Sequence, residues 1–256
     1  MTSFGSLFKA MSRDKFRQMN QLLALELIAT VVTLIWVAIK GEFSSSTLMF
    51  ATMGWAPLPS VVGVIILAFG IEKTYTADSF RLMPVEETKL YSTNLLTSLV
   101  NLVYFTIIQA VVCSIAVSIA FFSDGGASMM GNMPPARAMT DFVGMLIAVV
   151  VLYLILNLLI WSTISFVHLI TRAASSFLPK MRQQVVNIVI YVVVIFLTLR
   201  LSGFIIHGVA WVSRVAFSNN DWSQIWVSIV AMAVVILIEG AINVICLKKW
   251  VETDAN

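Results

Sequence analysis

Six stretches of about 20 or more mainly apolar residues divide this chain, and no other feature restricts its fold as strongly. A helix of about 20 residues crosses the hydrocarbon core of a bilayer, and inside lipid it satisfies its own backbone hydrogen bonds. Because 59% of the residues are hydrophobic and only 11% are charged, one soluble core could not bury them all. We therefore predict an all-α membrane protein with one transmembrane domain over residues 1–256. The predicted spans are residues 20–39, 48–70, 92–121, 142–168, 185–203 and 223–247.

The basic residues predict how these spans are oriented. Twelve of the 16 lysines and arginines precede span 1, lie between spans 2 and 3 or 4 and 5, or follow span 6. Lysine and arginine near span ends are retained in the cytoplasm, so both termini are predicted to be cytoplasmic. The net charge of +3 is explained by this topology, and we predict no nucleic-acid partner.

Two segments outside the spans have an interfacial character. Residues 3–18 place Phe4, Leu7 and Met11 near one helical face and add basic residues, which predicts a helix lying in contact with membrane lipid, or else a simple basic anchor. The segment "FIIHGVAWVSRVAF" before span 6 is apolar but too short to cross the bilayer. We predict a re-entrant or interfacial piece on the outer side.

Span 2 contains the sequence "WAPLPS", with Pro57 and Pro59. Each proline removes a helix hydrogen bond, so the span is predicted to be bent. The bend either only shapes helix packing or lines a transport path.

Two glutamates lie within predicted spans, where a charge is costly and is often functional. By helix rise, Glu26 and Glu239 lie roughly 9 and 12 Å from the cytoplasmic ends of spans 1 and 6. They are candidates for the transport path and could share a cavity. In the alternative they are structural: they snorkel, are protonated, or pair with His168 or Arg172.

Catalytic signatures are missing from the sequence. The only histidines, His168 and His207, lie on opposite predicted sides of the membrane, so they form no zinc site with helical spacing. There is no G-x-S-x-G nucleophile motif and no phosphate-binding loop. We predict that the chain is not an enzyme and that it has no catalytic residues, metal site or cofactor of its own. Any dependence on ATP would come from a partner.

A charged segment, "SFRLMPVEETKLYSTN", separates spans 2 and 3 on the predicted cytoplasmic side. Pro84 suits the first turn of a helix, and Glu86 and Glu87 favour its positive end. Lys89 follows, and apolar side chains alternate with the charges. The pattern predicts a short helix on the membrane surface that could dock in a groove of another protein.

The topology, the interfacial N-terminal helix and the sequence "RLMPVEETKLYSTNLLTSLVNLVY" together resemble the permease subunit of bacterial type-2 ABC exporters. In that family the loop after span 2, here residues 71–91, forms a coupling helix that rests on the ATPase subunit. A basic residue frequently follows the proline in such loops, whereas this chain has Glu86 and Glu87. The residues that the resemblance assigns to the ATPase contact are Arg81, Met83, Pro84, Val85, Glu86, Glu87, Lys89 and Tyr91.

The resemblance implies a multi-pass permease of the bacterial cytoplasmic membrane. It would work as a homodimer, or with a second similar permease, beside two ABC ATPase subunits that bind ATP and Mg. The cargo would be hydrophobic or amphipathic, such as an antimicrobial or cytolytic peptide. Two alternatives stay open: a stand-alone proton-coupled secondary transporter acting through Glu26 and Glu239, and a membrane-bound immunity or sensor protein.

Overall fold

A computed structural model describes residues 4–41, 43–76, 85–123, 136–175 and 221–249, together with residues 188, 189, 192, 193, 196, 200 and 203. The five long ranges are helical and contain no strand. The helices are α1 (Phe4–Ile39), α2 (Ser45–Trp55), α3 (Pro57–Thr76), α4 (Glu87–Ser123), α5 (Ala136–Ser175) and α6 (Asp221–Lys249).

Within the described ranges, five helical segments, counting α2 and α3 as one, are long and apolar enough to cross a membrane. The predicted all-α character is thereby confirmed for these ranges, and the five segments fit a multi-pass membrane protein. The five segments contain predicted spans 1, 2, 3, 4 and 6. Predicted span 5 is described only at single residues, and the re-entrant piece before span 6 lies outside the described residues. The sixth span and the cytoplasmic placement of both termini stay predictions.

Helix α1 is longer than predicted, because it runs without interruption from Phe4 to Ile39. The predicted interfacial helix and span 1 are therefore one element. No glycine or proline lies between Gly5 and Gly41, so nothing in the sequence breaks the helix. It ends where Gly41 adopts a φ of 76°, a conformation that glycine tolerates without strain. Whether its first turns lie in the membrane interface stays a prediction.

The second span is interrupted at Ala56, immediately before Pro57. Pro57 and Pro59 have no backbone N–H, so the carbonyls one turn earlier lose their helical donors. At the other end of this segment, the Ser44 side chain caps α2 by accepting a 3.2 Å hydrogen bond from the backbone N–H of Thr47.

Helices α4 and α5 also exceed the predicted spans. Helix α4 has 37 residues and begins at Glu87, an acid in the first turn, where the helix dipole favours it. Helix α5 has 40 residues and begins at Ala136, so residues 136–141, predicted as loop, are helical. Helix α6 ends with Lys248 and Lys249, which suit the negative end of a helix.

The chain forms two compact units. The first, here called the α1 unit, comprises Gly5–Gly70 and Leu96–Phe142, and its buried side chains include Met19, Leu67 and Leu102. The second, here called the α6 unit, comprises Met1–Phe4, Ile71–Leu95 and Val143–Asn256, and buries Trp161 and Leu169. The single domain over residues 1–256 stays a prediction.

Candidate functional site

A polar cluster in the α1 unit surrounds Glu26, which is 5% exposed. The Nε2 atom of Gln109 on α4 donates to Glu26 Oε2 at 2.8 Å and to the Ala56 carbonyl at 3.1 Å. The Ser60 hydroxyl lies 2.9 Å from Gln109 Oε1 and 2.8 Å from the same Ala56 carbonyl, and its single hydrogen can be donated to either. Gln109 therefore connects the acid on α1 with the backbone where α2 meets α3. There the Ala56 carbonyl also accepts from the backbone N–H of Ser60 at 3.4 Å. We call Glu26, Ala56, Ser60 and Gln109 the Glu26 cluster.

A cavity of about 20 Å³ adjoins this cluster. Its lining includes Glu26, Gln109, Thr30 and Thr52 among apolar side chains. The hydroxyls of Thr30 and Thr52 donate to backbone carbonyls one turn earlier, at 2.9 and 2.8 Å, so their oxygens remain able to accept. The space is large enough for one water molecule. The arrangement can hold a proton or a water beside a buried carboxyl, but it is far too small for a peptide or lipid.

A second polar contact in the α1 unit involves Lys15, which is 4% exposed. Its ammonium donates to the hydroxyls of Thr97 and Ser98 on α4 at 2.9 and 2.8 Å. Its aliphatic stem lies close to α3, because a Cβ on Gly70 would be 3.6 Å from Lys15 Cε. Lys15 is therefore part of the helix packing and not of an exposed basic anchor.

The α6 unit holds the other predicted acid, Glu239, which is 6% exposed. The Thr163 hydroxyl on α5 lies 3.0 and 3.2 Å from its two carboxylate oxygens. One turn further along α6, Asn243 donates to the Tyr91 hydroxyl at 3.0 Å and to the Ser162 carbonyl at 3.2 Å. These contacts join α4, α5 and α6 through fully or nearly buried polar side chains.

A histidine–carboxyl contact in the α6 unit involves a residue that the sequence did not single out. Nδ1 of His168 on α5 lies 3.0 Å from Oε2 of Glu72 on α3. Arg172, one helical turn beyond His168, interacts electrostatically with both. The structural interpretation of Glu26 and Glu239 named His168 or Arg172 as partners, whereas His168 contacts Glu72.

The predicted coupling segment is described only from Val85 onward, so Arg81, Met83 and Pro84 lie outside the described residues. Residues 87–91 belong to the first turns of α4 and not to a separate short helix. The side chains of Glu86 and Lys89 are 64% and 48% exposed, and their charged atoms lie 3.7 Å apart.

Three further members of the segment are less exposed. Val85 and Glu87 are half-buried. Tyr91 is only 6% exposed, and its ring stacks on that of Tyr75 with centroids 6.0 Å apart. Tyr91 was predicted to contact an ATPase, but in this structure its side chain is occupied inside the α6 unit.

The predicted transport-path residues fall into two groups. Glu26 and the segment containing Pro57 and Pro59 come together through Gln109 in the α1 unit. Glu239 belongs to the α6 unit and has its own partners. Sequence reasoning missed three polar side chains that take part in these contacts, namely Lys15, Glu72 and Gln109. Gln109 had a usable signal, since it is an amide in the middle of an apolar span, whereas Lys15 and Glu72 lay near predicted span ends where charge is ordinary.

Within the described ranges, no three side chains among histidine, cysteine, aspartate and glutamate are placed to hold a metal ion. No protein-family model, curated protein or solved structure matches this chain.

Proposed function

We propose that the chain is the membrane-spanning permease subunit of an ATP-driven exporter, working as a dimer beside a separate ATPase in a bacterial cytoplasmic membrane. The proposal includes six spans with both termini in the cytoplasm. It assigns the segment around residues 84–91 to contact with the ATPase. The cargo would be hydrophobic or amphipathic, such as a membrane-active peptide.

One observation supports this proposal above the others: an exposed charged turn is joined directly to a buried contact among helices. Glu86 and Lys89 face outward, whereas Tyr91, two residues further, is held by Asn243 of α6 and lies 3.4 Å from the Ser162 hydroxyl of α5. On the other side, Asn94 donates to the Ile71 carbonyl of α3 at 3.0 Å. Because α4 is a continuous helix, a force on its first turn would reach α3, α5 and α6.

The test is co-purification with an ABC ATPase, sought in the neighbouring reading frames, followed by measurement of ATP hydrolysis in the reconstituted complex. We expect a detergent-stable complex whose hydrolysis depends on this subunit. Reversing both charges with Glu86→Lys and Glu87→Lys should weaken the complex or uncouple hydrolysis from transport.

Lys89→Glu is a further test of the same contact. Its matched control is Lys40→Glu, which makes the same charge change at the exposed end of α1 on the predicted outer side. Only the Lys89 variant should alter the complex. The proposal would be contradicted by the absence of a stable complex with the ATPase, or by equal behaviour of the two variants.

A second candidate, proton-coupled transport by this chain alone, is favoured by the buried Glu26 beside a water-sized cavity. An intramembrane acid that can exchange a proton with a confined water is what such a mechanism requires. Transport by the purified chain in ATP-free vesicles, lost in Glu26→Gln, would support this candidate over the first.

A further inference from the structure

An open groove of about 610 Å³ lies on the exposed surface of α1. It is lined by three charged residues, Arg13, Asp14 and Arg17, and by Phe16, Asn20, Gln21 and Ala24. None of these residues takes part in the Glu26 cluster or in the contacts of the coupling segment. The groove is thus a separate surface, which the proposed function does not use.

The lining of this groove favours an anion. Arg13 and Arg17 are four residues apart, so their guanidinium groups lie on one helical face. Within the described ranges neither arginine forms an ion pair with a carboxylate. Two arginines against the single carboxylate of Asp14 leave one net positive charge. That balance matches a phosphodiester, which carries one negative charge and accepts paired hydrogen bonds from guanidinium groups.

Contacts with α4 position two residues of the groove, Phe16 and Asn20. The Tyr104 hydroxyl on α4 donates to Asn20 Oδ1 at 2.8 Å, and the rings of Phe16 and Tyr104 are 4.8 Å apart. Because the Asn20 oxygen accepts from Tyr104, its amide nitrogen is left with two hydrogens to donate. The groove therefore combines two cations with an oriented amide donor.

An exposed apolar stripe continues from the groove along the same helix. Leu25, Ile28 and Val32 are 60%, 59% and 59% exposed and follow Gln21 at helical spacing. A ligand with one anionic end and long apolar chains would cover both features at once. A soluble anion would cover only the groove.

We infer that this groove binds the headgroup of a membrane phospholipid with a single negative charge, while the acyl chains lie along Leu25, Ile28 and Val32. Arg13 and Arg17 bind the phosphate oxygens, and Asn20 and Gln21 donate hydrogen bonds to the ester region. A lipid bound in this groove explains why the exposed residues of α1 change from charged to apolar within about one helical turn there.

The inference is tested by native mass spectrometry of the full-length protein, released from detergent that contains equal amounts of phosphatidylglycerol and phosphatidylcholine. We expect retention of phosphatidylglycerol over phosphatidylcholine. Arg13→Gln with Arg17→Gln should reduce that retention at least fivefold. Lys9→Gln with Lys40→Gln removes the same charge from two exposed positions outside the groove and should leave it unchanged.

Further arms separate the lipid from other occupants. If the double arginine variant fails to fold, Gln21→Glu is the second test. It adds a negative charge with little change in size and should also weaken retention. Inorganic phosphate at millimolar concentration should not displace the lipid; displacement would point to a soluble anion and overturn the inference. Equal retention of both lipids, or equal loss in groove and control variants, would also overturn it. So would efficient disulfide cross-linking of Gln21→Cys between two copies in membranes, in a Cys113→Ala, Cys246→Ala background, because a protein partner would then occupy the face.

Discussion

Gln109 on α4 donates a 2.8 Å hydrogen bond to the buried carboxylate of Glu26 on α1. The same nitrogen reaches the Ala56 carbonyl, where the helix of the second span is interrupted. One amide thus joins a buried acid to the backbone where α2 meets α3.

Gln109→Leu should lower stability, because it leaves a buried carboxylate without its amide donor and a carbonyl with one donor fewer. The expected loss is about 1–3 kcal/mol, measured as thermal unfolding of the detergent-solubilised protein. Gln18→Leu is the matched control, since it makes the same change at an exposed position of α1. Equal loss in both variants would show that the Gln109 contacts are energetically unimportant.

Removing two hydroxyl acceptors of Lys15 should cost more than removing its charge. Thr97→Val with Ser98→Ala takes two hydroxyl acceptors from a buried ammonium, whereas Lys15→Met replaces the ammonium with an apolar group of similar length. A buried charge that loses its partners is strongly destabilising, but its replacement by an apolar group is often tolerated. We expect the melting temperature to fall further in the double hydroxyl variant than in Lys15→Met. The reverse order would contradict this account of the contact.

Much of the fold was predictable because the signal is local. An apolar run of about 20 residues favours a membrane helix whatever its neighbours are. Pro57 and Pro59 likewise act on their own backbone, and the interruption at Ala56 lies where they predict a disturbance.

The side-chain pairs were not predictable because they depend on how helices pack. His168 meets Glu72 only through the register between α5 and α3, which no feature of either segment specifies. Tyr91 looked like a surface residue from its charged neighbours, but α4 turns it toward Asn243. The same limit applies to Gln109, whose partners come from two other helices.

Gly240 on α6 should accept alanine but not leucine. A Cβ at this position would lie 3.5 Å from Cε1 of Tyr91, an ordinary contact distance, whereas a longer side chain would displace the Tyr91 ring. Gly240→Ala should keep or slightly raise the melting temperature, since alanine favours helix by about 1 kcal/mol. Gly240→Leu should lower it. Gly54→Leu, made where a Cβ meets nothing within 4 Å, is the control and should have little effect.

Glu72 and His168 should be energetically coupled. His168 Nδ1 and Glu72 Oε2 are 3.0 Å apart, and the Glu72 and His168 side chains are largely shielded, at 16% and 24% exposed. In a double-mutant cycle with Glu72→Leu and His168→Leu, we expect a coupling energy of about 0.5–3 kcal/mol from unfolding measurements. If the double variant loses the sum of the two single losses, the pair contributes nothing beyond its separate residues.

The length of α4 makes bilayer thickness a variable that acts on this protein. Its 37 residues extend about 55 Å, against a hydrocarbon core of about 30 Å. A helix longer than the hydrocarbon core is accommodated by tilting or by letting its ends emerge from the lipid. A thinner membrane would increase the tilt. The tilt would change the height of Glu87, in the first turn, above the membrane surface. Lipid chain length should therefore alter how far Glu86 and Lys89 project from the membrane.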